Sequence, residues 1–140
     1  MIKTFRESLA DGGMTTIRLG TNNGMTGYRI KKFQLFAVTP NVNQESLVMI
    51  FNQPQTAAAT EADFDNGEVL GAALYVSKES NLTTDIDVVF DNVTFNQDIY
   101  LTHTEGEATR GINFYLELEQ IKLDLSEATV ATLKDMRGSN

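Results

Sequence analysis

The single histidine of the chain, His103, is the first residue to consider as a catalytic base or metal ligand, because the chain has no cysteine. This composition excludes a multi-histidine metal site and a thiolate zinc site, and a Ser-His-Asp triad would depend on His103 alone. His103 stands between Thr102 and Thr104 with no nucleophile signature nearby. We interpret it as an ordinary or partly exposed histidine at a strand end, and we expect no catalytic residue and no metal site.

A short acidic stretch resembles a calcium-binding loop. Asp63, Asp65, Asn66 and Glu68 offer closely spaced oxygen ligands. An EF-hand loop requires Gly at its sixth position and Glu at its twelfth, whereas this stretch has Glu68 and Leu74 there. The pattern therefore predicts a solvated acidic turn.

Three aspartates, Asp85, Asp87 and Asp91, could supply the paired carboxylates of a glycoside hydrolase. Carboxyl groups two residues apart on one strand are separated by about 5–10 Å, which is the range that glycoside hydrolysis uses. The chain has no Trp and only four Tyr, so an aromatic-rich sugar cleft is not evident. We expect solvent-facing aspartates, no enzyme activity and no cofactor.

The charge of the chain disfavours two classes of partner. Nineteen acidic and eleven basic residues give a formal net charge of −8, which repels phosphate backbones and anionic lipid headgroups. The one basic cluster, Arg29, Lys31 and Lys32, is most simply a solvated face. The longest apolar stretch, residues 69–76, is far shorter than the ~20 residues of a membrane helix. We expect no nucleic acid or membrane partner, no secretory signal and an origin in the cytoplasm.

Apolar and polar residues alternate with period two over most of the chain, which is typical of half-buried strands. The clearest alternation covers residues 112–119, and residues 47–51 are apolar on both faces, as in a central strand. A phase slip at residues 31–32 predicts a β-bulge. The pair Asn23-Gly24 favours a β-hairpin turn.

Seven or eight strands at intervals of about ten residues, separated by turn signals, predict an all-β fold. The expected architecture is an antiparallel β-sandwich with jelly-roll-like topology. We divide the chain into an N-terminal arm over residues 1–13, a β-sandwich over residues 14–125, and a short C-terminal helix and tail over residues 126–140.

The two ends of the chain carry the apolar residues that we expect to contact other subunits. The arm has isolated apolar residues among polar ones, so we expect an extended or briefly helical segment that orders on contact. The C-terminal helix is too short to be stable alone and must pack against its own sandwich or a neighbouring subunit. The expected contact residues are Ile2, Phe5, Leu9, Val130, Leu133 and Met136.

Local signals indicate where this helix begins and ends. Ser126 can act as the N-cap, and Leu125 before it can pack on Val130 as a hydrophobic staple. Gly138 is suited to the C′ position that ends a helix. These signals predict a helix over residues 126–137.

Five stretches carry a resemblance that covers much of the chain, namely residues 4–13, 28–36, 90–99, 115–123 and 128–138. They resemble parts of small uncharacterised proteins encoded by marine tailed bacteriophages. They include no motif of known chemistry. The resemblance implies a virion structural component that assembles in the host cytoplasm, with the major capsid protein or other virion proteins, and further copies of itself, as partners.

These observations favour a noncatalytic subunit of the virion. We expect a capsid decoration, cement or minor capsid protein that binds the shell and stabilises the particle. Two alternatives stay open, namely a carbohydrate-binding β-sandwich module for host-surface recognition and a tail or neck component. The absence of Trp counts against the carbohydrate-binding module, because such modules usually need aromatic platforms.

Overall fold

The computed structural model describes residues 1–21, 23–78 and 82–137, without the side chains of Leu82 and of residues 134–137. It contains eight strands and one helix within these residues. In chain order they are β1 Ile2–Leu9, β2 Met14–Ile17, β3 Thr26–Ala37, β4 Gln44–Phe51, β5 Val69–Lys78, β6 Leu82–Val89, β7 Ile99–Glu105, β8 Ile112–Lys122 and α1 Leu125–Arg137.

The strands form two antiparallel sheets. The small sheet has the order β1-β8-β3, and the large sheet has the order β2-β7-β4-β5-β6. The pairs β1 with β8, β2 with β7 and β4 with β5 are those of a double hairpin wrapped into a jelly roll. Strand β6 departs from that pattern, because it pairs with β5 and meets β3 without joining the small sheet. The predicted all-β sandwich with jelly-roll-like topology and a C-terminal helix is confirmed.

Alternate residues of β8 occupy the centre of the core between the sheets. Ile112, Phe114, Leu116 and Leu118 are each at most 3% exposed. They pack with Phe33 of β3 and with apolar residues of the large sheet. Burying one such side chain fully contributes about 1.5–3 kcal/mol to folding, so this strand alone carries a large part of the stability.

The predicted N-terminal arm is wrong for most of its length, because residues 2–9 form strand β1. All eight residues of β1 pair with β8, at the edge of the small sheet. The register places Phe5 opposite Leu116 and Leu9 opposite Ile112, on the inner face of the sheet. An edge strand needs only a partly apolar inner face, so its sequence resembles that of an unstructured arm.

Two further turn and register predictions have different outcomes. The bulge is confirmed, because the pairing of β3 with β8 shifts between Ile30 and Lys32. The turn at Gly24 exists, with φ of 65°, but it does not close a hairpin. It joins β2 in the large sheet to β3 in the small sheet, since each strand pairs with a distant partner.

Helix α1 begins at Leu125, one residue earlier than predicted, and its N-cap lies two residues earlier. Asp124 is the N-cap, because its Oδ1 accepts a hydrogen bond from the Glu127 amide at 2.7 Å, and the Glu127 carboxylate accepts from the Asp124 amide at 3.2 Å. This capping box replaces the predicted Ser126 cap. The staple shifts with it, so that Leu123 and Ala128 are buried together while Leu125 is 74% exposed.

Small residues fasten the helix to the sandwich. Ala128 and Ala131 are each 4% exposed and face Leu123. Asn96, which is fully buried, donates hydrogen bonds to the Gly24 carbonyl at 3.0 Å and to Thr132 Oγ1 at 2.8 Å. The helix is therefore held by a narrow contact, and its larger apolar residues are left for other contacts. The predicted stop at Gly138 lies outside the described residues.

A buried carboxylate organises the loop between β7 and β8. Glu105 is 6% exposed and accepts hydrogen bonds from the amides of Glu45, Ala108, Glu107 and Arg110. Burial by itself raises the pKa of the Glu105 carboxyl, but the four amides outweigh burial and hold the pKa below its ordinary value. The ionised carboxylate is thus the form that the fold requires.

We predict that Glu105→Gln lowers the free energy of unfolding by about 2–4 kcal/mol at neutral pH, because the amide group presents donors to backbone donors. The folded-state pKa is depressed, so this stabilisation is present above the unfolded pKa of about 4.3 and is lost as pH falls through the folded value. Urea unfolding of the parent and of Glu105→Gln between about pH 3 and 7 measures the difference in their free energies of unfolding. A difference that stays constant down to pH 3 would contradict the assignment.

Candidate functional site

His103 lies in the interior of the protein and not at a partly exposed strand end. It is fully buried, its Nδ1 is 2.9 Å from the Ala10 carbonyl, and its Nε2 is 2.9 Å from Ser46 Oγ. A carbonyl can only accept, so Nδ1 carries the proton and Nε2 accepts from the Ser46 hydroxyl. Gln44 in turn donates to Ser46 Oγ at 2.8 Å.

The Ser46–His103 pair has the spacing of a nucleophile and its base. Both residues are fully buried in this structure, so a substrate cannot reach Ser46 Oγ. The chain of hydrogen bonds instead joins β4 and β7 to the turn after β1. Sequence inspection missed Ser46 because it lies 57 residues from His103.

The acidic stretches considered as a calcium loop and as paired carboxylates form turns and part of an edge strand. Asp63 and Asn66 accept hydrogen bonds from backbone amides two residues ahead, as in ordinary Asx turns. Asp85 and Asp87 lie on β6, at the edge of the large sheet. No group of three or more His, Cys, Asp or Glu residues in the described part of the chain is placed to hold a metal ion.

A depression of about 670 Å³ lies on the outer face of the small sheet. Each of the three strands of this sheet lines the depression with three consecutive residues, which are residues 6–8 of β1, 113–115 of β8 and 34–36 of β3. Asp85 of β6 borders it. Side chains alternate along a strand, so the middle residue of each triplet points to the inner face. We call this feature the sheet depression.

The outward side chains of the sheet depression form two cross-strand rows. The rows consist of Arg6, Tyr115 and Gln34, and of Ser8, Asn113 and Phe36. Side chains that face each other across neighbouring strands have Cβ atoms about 4.5–5.5 Å apart. The six groups therefore lie close enough for one small ligand to contact several of them.

Two aromatic side chains occupy this surface. Phe36, on the edge strand β3, is 77% exposed among polar side chains. Tyr115 is half-buried, and its hydroxyl donates to Glu117 Oε1 at 2.7 Å. That hydrogen bond, with some burial and the charge of Glu117, raises the pKa of the Tyr115 hydroxyl. The hydroxyl therefore stays neutral at physiological pH.

The polar side chains of the sheet depression are free to bind. Among the described residues, none forms a hydrogen bond or ion pair with the side chains of Arg6, Ser8, Gln34 and Asn113. Together they offer guanidinium and amide donors as well as amide and hydroxyl acceptors. Such a mixture suits a ligand that both donates and accepts hydrogen bonds.

Opposite charges offset each other around the sheet depression. Arg6 carries the one positive charge among its lining residues, and the Glu117 carboxylate beside Tyr115 carries a negative charge, whereas Glu7 has the parity of the inner face. Partial burial, and to a smaller extent the neighbouring Asp87, raise the pKa of the Asp85 carboxyl. Because the local charges offset each other, the net charge of the chain, −8, decides the response to anions, and it repels them.

A second surface is the outward side of helix α1, which we call the helix face. Leu125, Val130 and Leu133 are 74%, 52% and 48% exposed. At about 100° per residue they fall in one sector, opposite Ala128 and Ala131. Beside this sector, α1 and the end of β8 enclose a groove of about 310 Å³ that includes Val130, Ile121 and Leu123.

The structure places the six predicted contact residues in different environments. Val130 and Leu133 belong to the helix face, and Met136 occupies the same sector by its position, although its side chain lies outside the described residues. Ile2 is 51% exposed on β1, Phe5 packs partly against the core, and Leu9 is 4% exposed within it. Leu9 is thus committed to the core and is not available to another subunit.

No protein-family model matches the chain, and no curated protein matches it. Several solved structures are similar to most of its length. A structure of Bacillus endospore appendages, described as disulfide-linked pili, has 10% identity and a TM-score of 0.41, over 89% of this chain and 88% of that one.

The binding domain of Botulinum neurotoxin DC in complex with SialylT has 10% identity and a TM-score of 0.27, over 97% of this chain and 46% of that one. Likenesses this weak carry no argument about function. In the described part of the chain, no helix has the length and apolar character needed to cross a membrane.

We predict that His103→Phe lowers the free energy of unfolding by about 2–4 kcal/mol, because it removes the donor to the Ala10 carbonyl and the acceptor for the Ser46 hydroxyl proton. His103→Asn is the matched control, since the asparagine amide can still donate to the Ala10 carbonyl. It should lower the free energy of unfolding by less than His103→Phe does. Chemical denaturation measures both. A His103→Phe protein as stable as the parent would show that the network does not support the fold.

Proposed function

We propose that this protein is a noncatalytic structural subunit of a tailed-phage particle. It acts as a capsid decoration, cement or minor capsid protein that binds the shell and stabilises it. The resemblance of residues 4–13, 28–36 and 90–99 to small marine phage proteins supports this proposal, and so does the rigid two-sheet architecture. The two most suggestive residues for chemistry, Ser46 and His103, are buried and serve packing.

The observation that carries the proposal is the helix face. Three large apolar side chains stand exposed on one short helix, while the buried apolar residues that the same helix packs on its own sandwich are the alanines Ala128 and Ala131. Clustered exposed apolar residues are typical of protein interaction sites. A partner that covered Leu125, Val130 and Leu133 would bury them and fill the adjacent groove.

The partner that fits the helix face is a protein surface of the shell, formed by the major capsid protein or another virion protein. The net charge of −8 disfavours the packaged nucleic acid as the partner. Contacts with further copies of the chain are compatible with the same surface.

The direct test is to mix the purified chain with empty shells assembled from the major capsid protein of the same phage and to sediment them. We expect the chain to co-sediment at a saturating, stoichiometric ratio. Cryo-electron microscopy of the complex would then place α1 against the shell. A chain that stays in the supernatant at micromolar concentration, and is missing from purified virions, would contradict the proposal.

We predict that the double variant Val130→Lys and Leu133→Lys weakens shell binding by roughly tenfold or more, because each lysine must be desolvated in an apolar contact. The fold should be retained, since both positions are exposed and lysine favours helix. Ile86→Lys is the matched control, with 53% exposure on the large sheet and no place in the helix face. Equal binding of the double variant and the control would exclude the helix face as the contact.

A further inference from the structure

We propose that the sheet depression binds a short, neutral oligosaccharide. This activity is separate from the attachment of the chain to a shell and does not depend on it, because the sheet depression and the helix face use different residues. The ligand class follows from three features of the sheet depression, which are its exposed aromatic rings, its unpaired polar side chains and its charge.

Phe36 provides the apolar platform. Its ring is 77% exposed and has no other aromatic ring stacked on it among the described residues. The face of an aromatic ring is electronegative, so it attracts the polarised C–H bonds on one side of a sugar ring. Tyr115, in the neighbouring row, extends this platform toward the middle of the sheet.

The polar groups around Phe36 can form hydrogen bonds with the hydroxyl groups of a sugar. Asn113 and Ser8 share its row, and Gln34 lies one row away. Each of them can both donate and accept hydrogen bonds, as sugar hydroxyls do. An apolar peptide would leave these groups unpaired, whereas a sugar would satisfy them and cover the ring at the same time.

Charge selects the kind of sugar. Arg6 and the nearby Glu117 offset each other at the sheet depression, and the whole chain carries −8. Sialylated, sulfated or phosphorylated glycans would therefore be repelled. Neutral hexoses lack that penalty, and Arg6 can donate to their hydroxyl oxygens without needing an anion.

The strands also preorganise this surface. The triplets of β1, β8 and β3 are held in register by backbone ladders, and the residues between the outward side chains, Leu35 and Phe114, are buried in the core. Little backbone entropy therefore remains to be lost when a ligand binds, and the main entropic cost is that of ordering the exposed side chains. The site is open, so we expect affinities of about millimolar for a single oligosaccharide, strengthened by multivalency on a particle.

The test uses saturation-transfer difference NMR with the full chain and neutral trisaccharides of glucose, galactose and mannose, each at about 10 mM. We expect transfer to at least one of them, strongest at the protons on one face of a ring. A sialylated trisaccharide at the same concentration should show none. Absence of transfer from every neutral trisaccharide, or transfer only to the sialylated one, would overturn the proposal.

Variants assign the binding to the sheet depression. We predict that Phe36→Ala lowers affinity by roughly tenfold or more, and that Asn113→Ala lowers it by several-fold. Leu125→Ala is the matched control, because Leu125 is 74% exposed but lies on the helix face. It should bind the sugar as the parent does.

Circular dichroism melting of each variant shows that the fold is intact, as expected for exposed side chains. Undiminished sugar binding by Phe36→Ala, or equal loss in Leu125→Ala, would show that the sugar binds elsewhere and would refute the site. Failure of shell binding alone would leave this result unaffected, so the two proposals can fail separately.

Discussion

Strand β8 imposes the constraint on which both the core and the outer surface depend. It lies between β1 and β3, so every residue it contributes faces either the core or the outer side of the small sheet. Its inner residues, such as Phe114 and Leu116, are buried, while Asn113 and Tyr115 line the sheet depression. A shift of its register by one residue would exchange the two sets of residues, and it would destroy both the core and the sheet depression.

Sequence alone predicted the features that depend on local period and composition. The two-sheet class, the central place of β4, the bulge in β3 and the C-terminal helix follow from alternation and capping signals. The identity of β1 as a strand could not be predicted. Phe5 and Leu9 lie on the inner face of a sheet only because β1 pairs with β8, where Leu116 and Ile112 are their partners far along the chain. The N-cap moved to Asp124 because Glu127 completes its capping box.

The sheet depression was missed for a similar reason. Its residues come from three strands and are separated by up to about a hundred positions, and an aromatic platform was expected in loops and not on a sheet. One signal was present, since Phe36 is out of phase with the buried Phe33 and Leu35. The buried pair of Ser46 and His103 gave no signal, because neither spacing nor composition links them before the chain folds.

We infer that the free chain is already a rigid sandwich and that it works through preformed surfaces. Hydrogen–deuterium exchange of the free chain and of the chain bound to shells tests this most directly. The account predicts equally slow exchange of β8 and β4 in both states, with new protection confined to α1 and its groove. Core strands that exchange rapidly until the chain is bound would contradict it.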